Sequence, residues 1–137
     1  MYETILVPTD GSDGANRAVE HALHLAERDG ASLHVIFVVD VDRYGEPALS
    51  SAEIVIDELE DEGHDLVEGV AARADNRGVE ATTRCCHGTP DSEIVGYADA
   101  IGADLIVMGY QGRSHRTKIG SVANRVVQHA ERPVMTV

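Results

Sequence analysis

The fold is decided by the stretch Ile5-Leu6-Val7-Pro8-Thr9-Asp10-Gly11-Ser12, a short apolar run followed at once by turn-forming residues. An apolar run this brief, closed by proline and glycine, is typical of a strand buried inside a parallel sheet. Either Ser12 or Asp13 can cap the helix that follows, in which apolar residues recur at helical spacing until Gly30. The chain therefore opens with a strand, a tight turn and an amphipathic helix.

The same alternation of strand and helix continues to the end of the chain. Further strands are predicted at Leu33–Val39, Val79–Cys86, Leu105–Met108 and Pro133–Val137, and further helices at Ser50–Asn76, Pro90–Ile101 and Ser121–Ala130. Such alternation produces right-handed crossovers, so the expected fold is α/β, a single open five-stranded parallel sheet with helices on both faces. No linker or repeat divides residues 1–137, which are expected to form one domain.

The strand order follows from hydrophobicity. The first and fourth strands are the most apolar and are expected side by side at the centre, which gives the order 3-2-1-4-5. Ligands in open α/β sheets bind beyond the carboxyl ends of the strands, where the strand order reverses. The turns at that point are Pro8-Thr9-Asp10 and Gly109-Tyr110-Gln111-Gly112. The sequence predicts a ligand site between them.

Two finer predictions concern the second half of the fold. On the helix Ser50–Asn76 the buried stripe is expected to consist of Ala52, Val55, Leu59, Leu66, Val70 and Ala74. Cys85 and Cys86 are neighbours on a strand and point to opposite faces, so we expect no disulfide between them. One thiol is expected to be buried and the other partly exposed.

The chain as a whole is acidic, with 24 Asp and Glu against 11 Lys and Arg and a formal net charge of −13. This charge repels DNA, RNA and anionic membranes, which argues against those partners. The acidic residues are spread along most of the chain and Lys118 is the only lysine, a pattern that favours a halophilic source over an ordinary acidic protein. No apolar run is long enough to span a membrane and no signal peptide is recognisable, so the expected location is the cytoplasm.

One segment departs from this acidity. Leu105–Ala130 contains no Asp or Glu, and its basic residues are Arg113, Arg116, Lys118 and Arg125, with His115 beside them. Its glycines allow backbone N–H groups to approach phosphate oxygens, and Gly120-Ser121 begins a helix, whose N-terminus favours negative charge. The alternative is that the glycines only shape a turn and the arginines only offset charge. The position at the predicted reversal favours an anion site, built from two loops because no P-loop or GxGxxG fingerprint is present.

Three motifs together resemble universal stress proteins. They are Ile5-Leu6-Val7-Pro8-Thr9-Asp10-Gly11-Ser12, His87-Gly88-Thr89-Pro90, and Val107-Met108-Gly109-Tyr110-Gln111-Gly112-Arg113-Ser114 followed by Gly120-Ser121-Val122-Ala123. The similarity spans essentially the whole chain. It implies an adenine nucleotide alpha hydrolase-like fold, homodimers and, in one branch of the family, ATP held by the last glycine loop.

The resemblance also implies roles for individual residues. Asp10 approaches the phosphates through Mg²⁺, and Val38 presents its backbone to adenine. Met108 and Gly109 line the ribose and adenine side. The phosphates are surrounded by Gly112, Gly120, Ser121 and Val122, and the implied site is completed by Pro8, Thr9 and Arg113.

One departure from the family bears on this site. The ATP-binding pattern resembles Gly-x2-Gly-x9-Gly-[Ser/Thr], whereas seven residues separate Gly112 from Gly120 here. The function predicted is a stress-response regulator that binds ATP, or AMP or ADP, with Mg²⁺. The alternatives are a dimeric scaffold with a vestigial site and a slow ATPase. No paired carboxylate or Ser-His-Asp arrangement is evident around Asp10, so efficient catalysis is not indicated.

The C-terminal strand carries the prediction of a partner. Pro133–Val137 is short and apolar and lies at the sheet edge in the expected strand order. An exposed apolar edge invites pairing with another chain, and two copies can meet about a two-fold axis. The sequence therefore predicts a homodimer through this strand.

Overall fold

Strands and helices alternate along the chain, as seen in a computed structural model that describes residues 1–41, 50–110 and 120–137, without the side chains of 50–54. The strands are β1 (Thr4–Pro8), β2 (Ser32–Asp40), β3 (Ala81–Gly88), β4 (Leu105–Met108) and β5 (Val134–Thr136). The helices of this described part are α1 (Asp13–Asp29), α2 (Ser50–Asn76), α3 (Pro90–Ile101) and α4 (Ser121–His129). The predicted α/β class is confirmed.

All five strands run parallel, in the order β3-β2-β1-β4-β5. β1 pairs with β2 from Thr4–Ser32 to Pro8–Ile36, and with β4 through Ile5–Leu105 and Leu6–Ile106. The strand order reverses between β1 and β4, as predicted, so the carboxyl ends of these two strands flank the crevice in which such sheets bind ligands.

The hydrophobic core forms one layer on each face of the sheet. β1 supplies both layers, because Ile5 and Val7 face α1 and α2 whereas Leu6 faces α3 and α4. All three side chains are fully buried. This double burial explains why the shortest apolar runs of the sequence lie at the centre of the sheet.

The third strand differs from its prediction at both ends. It begins at Ala81 rather than Val79, because the Val79 N–H donates to the carbonyl of Ala74 at 2.9 Å and so closes α2. It ends at Gly88 rather than Cys86, because β2 continues to Asp40 and pairs with Gly88 there. Gly88 has φ of 150°, a backbone conformation that favours glycine, so it stays in the ladder instead of starting the turn.

The buried face of α2 differs from its prediction at one residue near its start. Val55 is exposed and Ile56 is buried in its place. Gly63 lies on this face, where an added Cβ would collide with the Phe37 ring of β2. Of the other predicted stripe residues, Leu59 and Leu66 are half-buried and Val70 and Ala74 are buried, while Ala52 lies outside the described side chains.

The two cysteines are oriented as predicted but buried differently. Cys85 packs with the α1 and α2 layer and Cys86 with the α3 and α4 layer, and both thiols are free. Both are half-buried, which corrects the expectation of one buried and one partly exposed thiol. The reason is that β3 is an edge strand, so neither of its faces is completely covered. No helix among the described residues is long and apolar enough to cross a membrane.

Candidate functional site

The turn after β1 is held by its own polar groups. The Thr9 N–H donates to the carbonyl of Ile36 at 2.9 Å, which carries the pairing with β2 one residue past β1. Thr9 Oγ1 accepts from the Gly11 N–H at 3.3 Å, and Asp10 Oδ1 accepts from the Ser12 N–H at 2.9 Å. Thr9 is only 7% exposed and Asp10 is half-buried. The turn therefore fixes the Asp10 carboxylate at the carboxyl edge of the sheet.

Val38 directs its peptide groups into the space beyond β1. Along a strand, the N–H and C=O of successive residues face opposite neighbouring strands, so residues two apart face the same strand. The Ile36 carbonyl faces β1, since it accepts from Thr9, so the N–H and C=O of Val38 face the same way. At that level β1 has already turned out of the sheet. The Val38 side chain is half-buried against the apolar layer that contains Met108, which is 5% exposed.

Gly109 joins the end of β4 to the start of α1. A Cβ at this position would lie 2.7 Å from the carbonyl carbon of Gly14 and 2.9 Å from the Ala15 nitrogen. Both atoms belong to the backbone and cannot swing away, so only glycine fits here. This contact spans the strand reversal and brings together the two turns that the sequence singled out. Gly14 is the participant that sequence reasoning missed, and its only signal was a pair of small residues, Gly14-Ala15, directly after the cap.

The start of α4 lies beside the end of β4. The Gly120 N–H donates to the carbonyl of Tyr110 at 2.7 Å, and the Tyr110 N–H donates to the carbonyl of Val137 at 2.8 Å. Gly120 is therefore hydrogen-bonded to the residue that directly follows Gly109. Gly112 and Arg113, the other two predicted members of this loop, lie outside the described residues, as do His115, Arg116 and Lys118.

The N-terminus of α4 differs electrostatically from those of α1 and α3. The first turns of α1 and α3 carry acidic residues, Asp13 in α1 and Asp91 and Glu93 in α3, whereas α4 carries none. Gly120 caps α4 without a side chain. The first hydrogen bond of the helix runs from the Asn124 N–H to the Gly120 carbonyl at 2.9 Å, so the N–H groups that precede Asn124 have no carbonyl partner within the helix. The positive end of the α4 dipole is thus not offset by an acid in its first turn.

The predicted site residues that the structure describes lie along one edge of the sheet. Those around the strand reversal are Pro8, Thr9, Asp10, Met108, Gly109, Gly120, Ser121 and Val122, and Val38 lies one strand away on β2. Ser121 is exposed and Val122 is half-buried. Among the described residues no group of three His, Cys, Asp or Glu side chains is arranged to hold a metal ion. The arrangement offers the Asp10 carboxylate, the peptide groups of Val38 and of the α4 N-terminus, and an apolar surface formed by Val38 and Met108.

Two known proteins are similar to this chain over almost its whole length. Universal stress protein MJ0531 of Methanocaldococcus jannaschii is 40% identical over 140 residues, which cover 100% of this chain and 82% of that protein. The solved structure of universal stress protein UspA from Lactobacillus plantarum has a TM-score of 0.91 and 32% identity, with 99% of this chain and 97% of that chain covered.

Two further solved structures contain ligands. A universal stress protein in complex with cAMP has a TM-score of 0.76 and 28% identity and covers 99% of this chain and 97% of its own. The universal stress protein from Archaeoglobus fulgidus in complex with dAMP has a TM-score of 0.71 and 25% identity and covers 98% and 97%. The profile of the Universal stress protein family matches residues 1–137. This chain belongs to the universal stress protein family.

Proposed function

We propose that this protein binds an adenine nucleotide at the carboxyl edge of its sheet and acts as a nucleotide-dependent regulator in a stress response. The observation that carries the proposal is the acid-free N-terminus of α4, set beside the Gly109–Gly14 contact in a chain of net charge −13. A helix start that lacks an acid attracts an anion, and here the surrounding charge makes the contrast large.

The base end of the site is assigned to Val38. Adenine presents a ring nitrogen that accepts a hydrogen bond next to an amino group that donates one. The Val38 N–H and C=O, which face the same side of β2, complement that pair. The apolar side chains of Val38 and Met108 provide a surface for the ring, and Pro8 and Thr9 border it where β1 turns away.

The phosphate end is assigned to the start of α4. Val38 on β2 and Gly109 after β4 are two strand spacings apart, about 10 Å, which adenine and ribose fill. The first phosphate then meets the N–H groups of Ser121 and Val122 and the Ser121 hydroxyl, with Gly120 leaving room for its approach. From the family resemblance we also assign Gly112 and Arg113 to the phosphates. Asp10 would repel a phosphate directly, so its role requires an intervening cation such as Mg²⁺.

The two ligand-bound relatives support an adenine nucleotide as the ligand class. The preference for ATP with Mg²⁺ over AMP or ADP rests on the family resemblance, on Asp10 and on the basic residues of the loop. We place the protein in the cytoplasm, where this ligand is abundant.

Calorimetry and thermal melts in high salt test the nucleotide proposal. We expect AMP, ADP or Mg–ATP to raise the melting temperature and GTP to have less effect, because ligand at 100 times its Kd stabilises a protein by about 2.7 kcal/mol.

The variant Gly120→Val should abolish that shift while leaving the protein folded, because Gly120 has φ of −62° and ψ of 148°, which valine adopts without strain. Ser121→Ala should weaken binding by about 0.5–2 kcal/mol. No shift with any adenine nucleotide would instead support the dimeric scaffold with a vestigial site, as the seven-residue spacing from Gly112 to Gly120 allows.

We further propose that two copies of this chain associate through β5. Within the part of the chain that the structure describes, this strand pairs with β4 and with no second strand. Pro133 and Val137 direct their carbonyls to β4, where Ile106 and Tyr110 donate to them, so the peptide groups of Val134 and Thr136 face the free edge. An open edge of this kind pairs readily with an identical strand about a two-fold axis.

Proline at Thr136 tests that interface. Thr136→Pro removes an N–H from the free edge without removing a bond to β4, so we expect the dimer to dissociate at least tenfold more readily. Thr136→Val keeps the N–H and is the matched control. Light scattering in high salt gives the mass, and a wild-type value near the 14.7 kDa of one chain contradicts the dimer. A dimer equally stable in both variants shows that the contact lies elsewhere.

A further inference from the structure

Tyr110 is hydrogen-bonded through its main chain to both α4 and β5. Its carbonyl accepts from the Gly120 N–H at 2.7 Å, and its N–H donates to the Val137 carbonyl at 2.8 Å. The residue is 39% exposed, and its main chain forms both of these bonds. One residue therefore connects the phosphate end of the proposed nucleotide site to the end of the proposed dimer strand.

The end of β5 depends on this connection. The strand has three residues, and its pairs with β4 are Ile106–Val134, Val107–Met135 and Met108–Thr136. All three β5 residues are half-buried. Beyond the last pair, Val137 is held by two bonds, from its own N–H to the Met108 carbonyl at 3.0 Å and from the Tyr110 N–H to its carbonyl. The Met135 and Val137 side chains also pack against the α1 and α2 layer. In a strand of three residues, these two main-chain bonds set the register of the end.

We propose that Tyr110 couples the nucleotide site to the β5 edge, so that a bound adenine nucleotide tightens association with a second copy of this chain. The proposal rests on the nucleotide site and the β5 interface described above. A phosphate bound to the first turn of α4 holds Gly120, and Gly120 holds Tyr110 through its carbonyl. Tyr110 then fixes Val137, so less disorder remains to be lost when a second strand pairs with β5. By linkage the dimer binds the nucleotide more tightly by the same factor.

A dilution series in high salt measures the coupling. The dimer Kd is determined by analytical ultracentrifugation without ligand, with AMP, with Mg–ATP and with adenosine. We expect the two phosphorylated ligands to lower the dimer Kd at least about fivefold, the lower end of typical couplings. Adenosine should have little effect, because it lacks the group that binds α4.

Two variants at Tyr110 separate the main chain from the side chain. Tyr110→Pro removes the N–H that holds Val137 but keeps the carbonyl that accepts from Gly120, so nucleotide should still bind while the ligand effect on the dimer Kd disappears. Tyr110→Ala keeps both main-chain groups and should retain the coupling. Calorimetry on the same samples verifies that nucleotide is bound.

Amide hydrogen exchange gives a second readout in the unmodified protein, at a concentration where it is monomeric. Nucleotide should slow the exchange of the Tyr110 N–H and of the Val137 N–H, although neither is assigned to contact ligand. If calorimetry shows nucleotide binding while the dimer Kd and both exchange rates stay unchanged, the coupling is refuted and the nucleotide site stands. If no nucleotide binds at all, both proposals fail.

Discussion

At the scale of the residue, space rather than backbone conformation selects glycine at position 109. No positive φ is found there, in contrast to Gly11, Gly30, Gly78, Gly88 and Gly102. What excludes a side chain is the backbone of Gly14 and Ala15, which would lie 2.7–2.9 Å from a Cβ. The candidate site thus depends on a contact between two glycines that stand 95 positions apart in the sequence.

This contact predicts the effect of the smallest substitution. Gly109→Ala should lower the free energy of unfolding by about 1–3 kcal/mol, because the added methyl meets rigid backbone and β4 or α1 must shift. Gly96→Ala is the matched control, since nothing lies within 4 Å of a Cβ there and Gly96 is inside α3. The control should raise stability by up to about 1 kcal/mol through helix propensity. Denaturant unfolding compares the two variants, and equal stabilities would mean that the Gly109–Gly14 approach is looser than described.

At the scale of the element, the sequence predicts strand order and type better than exact ends. The central strands were identified because double burial makes them wholly apolar, as Leu105–Met108 shows. The end of β3 at Gly88 was missed because it depends on the neighbouring strand. β2 extends to Asp40, and Gly88, at φ of 150°, remains paired with it. On α2 only Val55 was wrong among the five predicted stripe residues whose side chains are described, because hydropathy does not distinguish it from its neighbour Ile56.

In the candidate site, too, contacts within one motif were predictable from the sequence, whereas contacts between separate elements were not. The turn Thr9-Asp10-Gly11-Ser12 was readable because its hydrogen bonds close within the motif itself. The tie from Gly120 to Tyr110 and the contact of Gly109 with Gly14 were not readable, because each depends on the packing of two separate elements. Composition revealed only that an acid-free segment starts at β4.

Two carboxylates fasten β1 to its neighbours at the amino end of the sheet. Asp29, at the end of α1, accepts from the Tyr2 N–H at 3.0 Å, and Asp104, just before β4, accepts from Glu3 and Thr4 at 2.8 and 2.9 Å. Hydrogen bonds from the Arg28 side chain and then from the Tyr2 N–H lower the pKa of Asp29 from 3.8 to about 2. The N–H groups of Glu3 and Thr4 likewise lower the pKa of Asp104.

The lowered pKa values of Asp29 and Asp104 predict how the free energy of unfolding depends on pH. A carboxylate whose folded pKa is lowered stabilises the protein above its unfolded pKa and loses that contribution as pH falls through the folded pKa. For Asp29 the loss should run from pH 3.8 down to about pH 2. Denaturant melts across this range should show falling stability in the wild type. In Asp29→Asn the amide oxygen still accepts from Tyr2 but does not titrate, so the decline should be shallower. A decline of the same slope in both proteins would remove Asp29 as a cause.

At the scale of the whole molecule, acidic residues are distributed unevenly along the chain. Seven of the acidic side chains that the structure describes on α2 are exposed: Asp57, Glu58, Asp61, Glu62, Asp65, Glu68 and Asp75. The segment Leu105–Ala130 carries none. Under the nucleotide proposal, an anionic ligand is repelled by most of this molecule and binds beside the acid-free segment, where the strand order reverses. The fold supplies the crevice, and we expect the distribution of charge to favour an anion there.

The net charge of −13 leads to the last prediction, that the fold weakens as salt is diluted. Like charges repel over about 10 Å at 0.1 M salt but only about 3 Å at 1 M, so the melting temperature should rise steeply up to about 1 M. A slower rise beyond that concentration would report salt exclusion from the surface instead of screening. The triple variant Asp57→Asn, Asp61→Asn and Asp65→Asn is the control, because these exposed residues lie one helical turn apart and repel one another. It should melt higher than the wild type at 0.1 M salt and respond less to added salt. A melting temperature that is flat or falls as salt is raised, or a triple variant with the wild-type salt response, would contradict both the screening argument and the halophilic assignment.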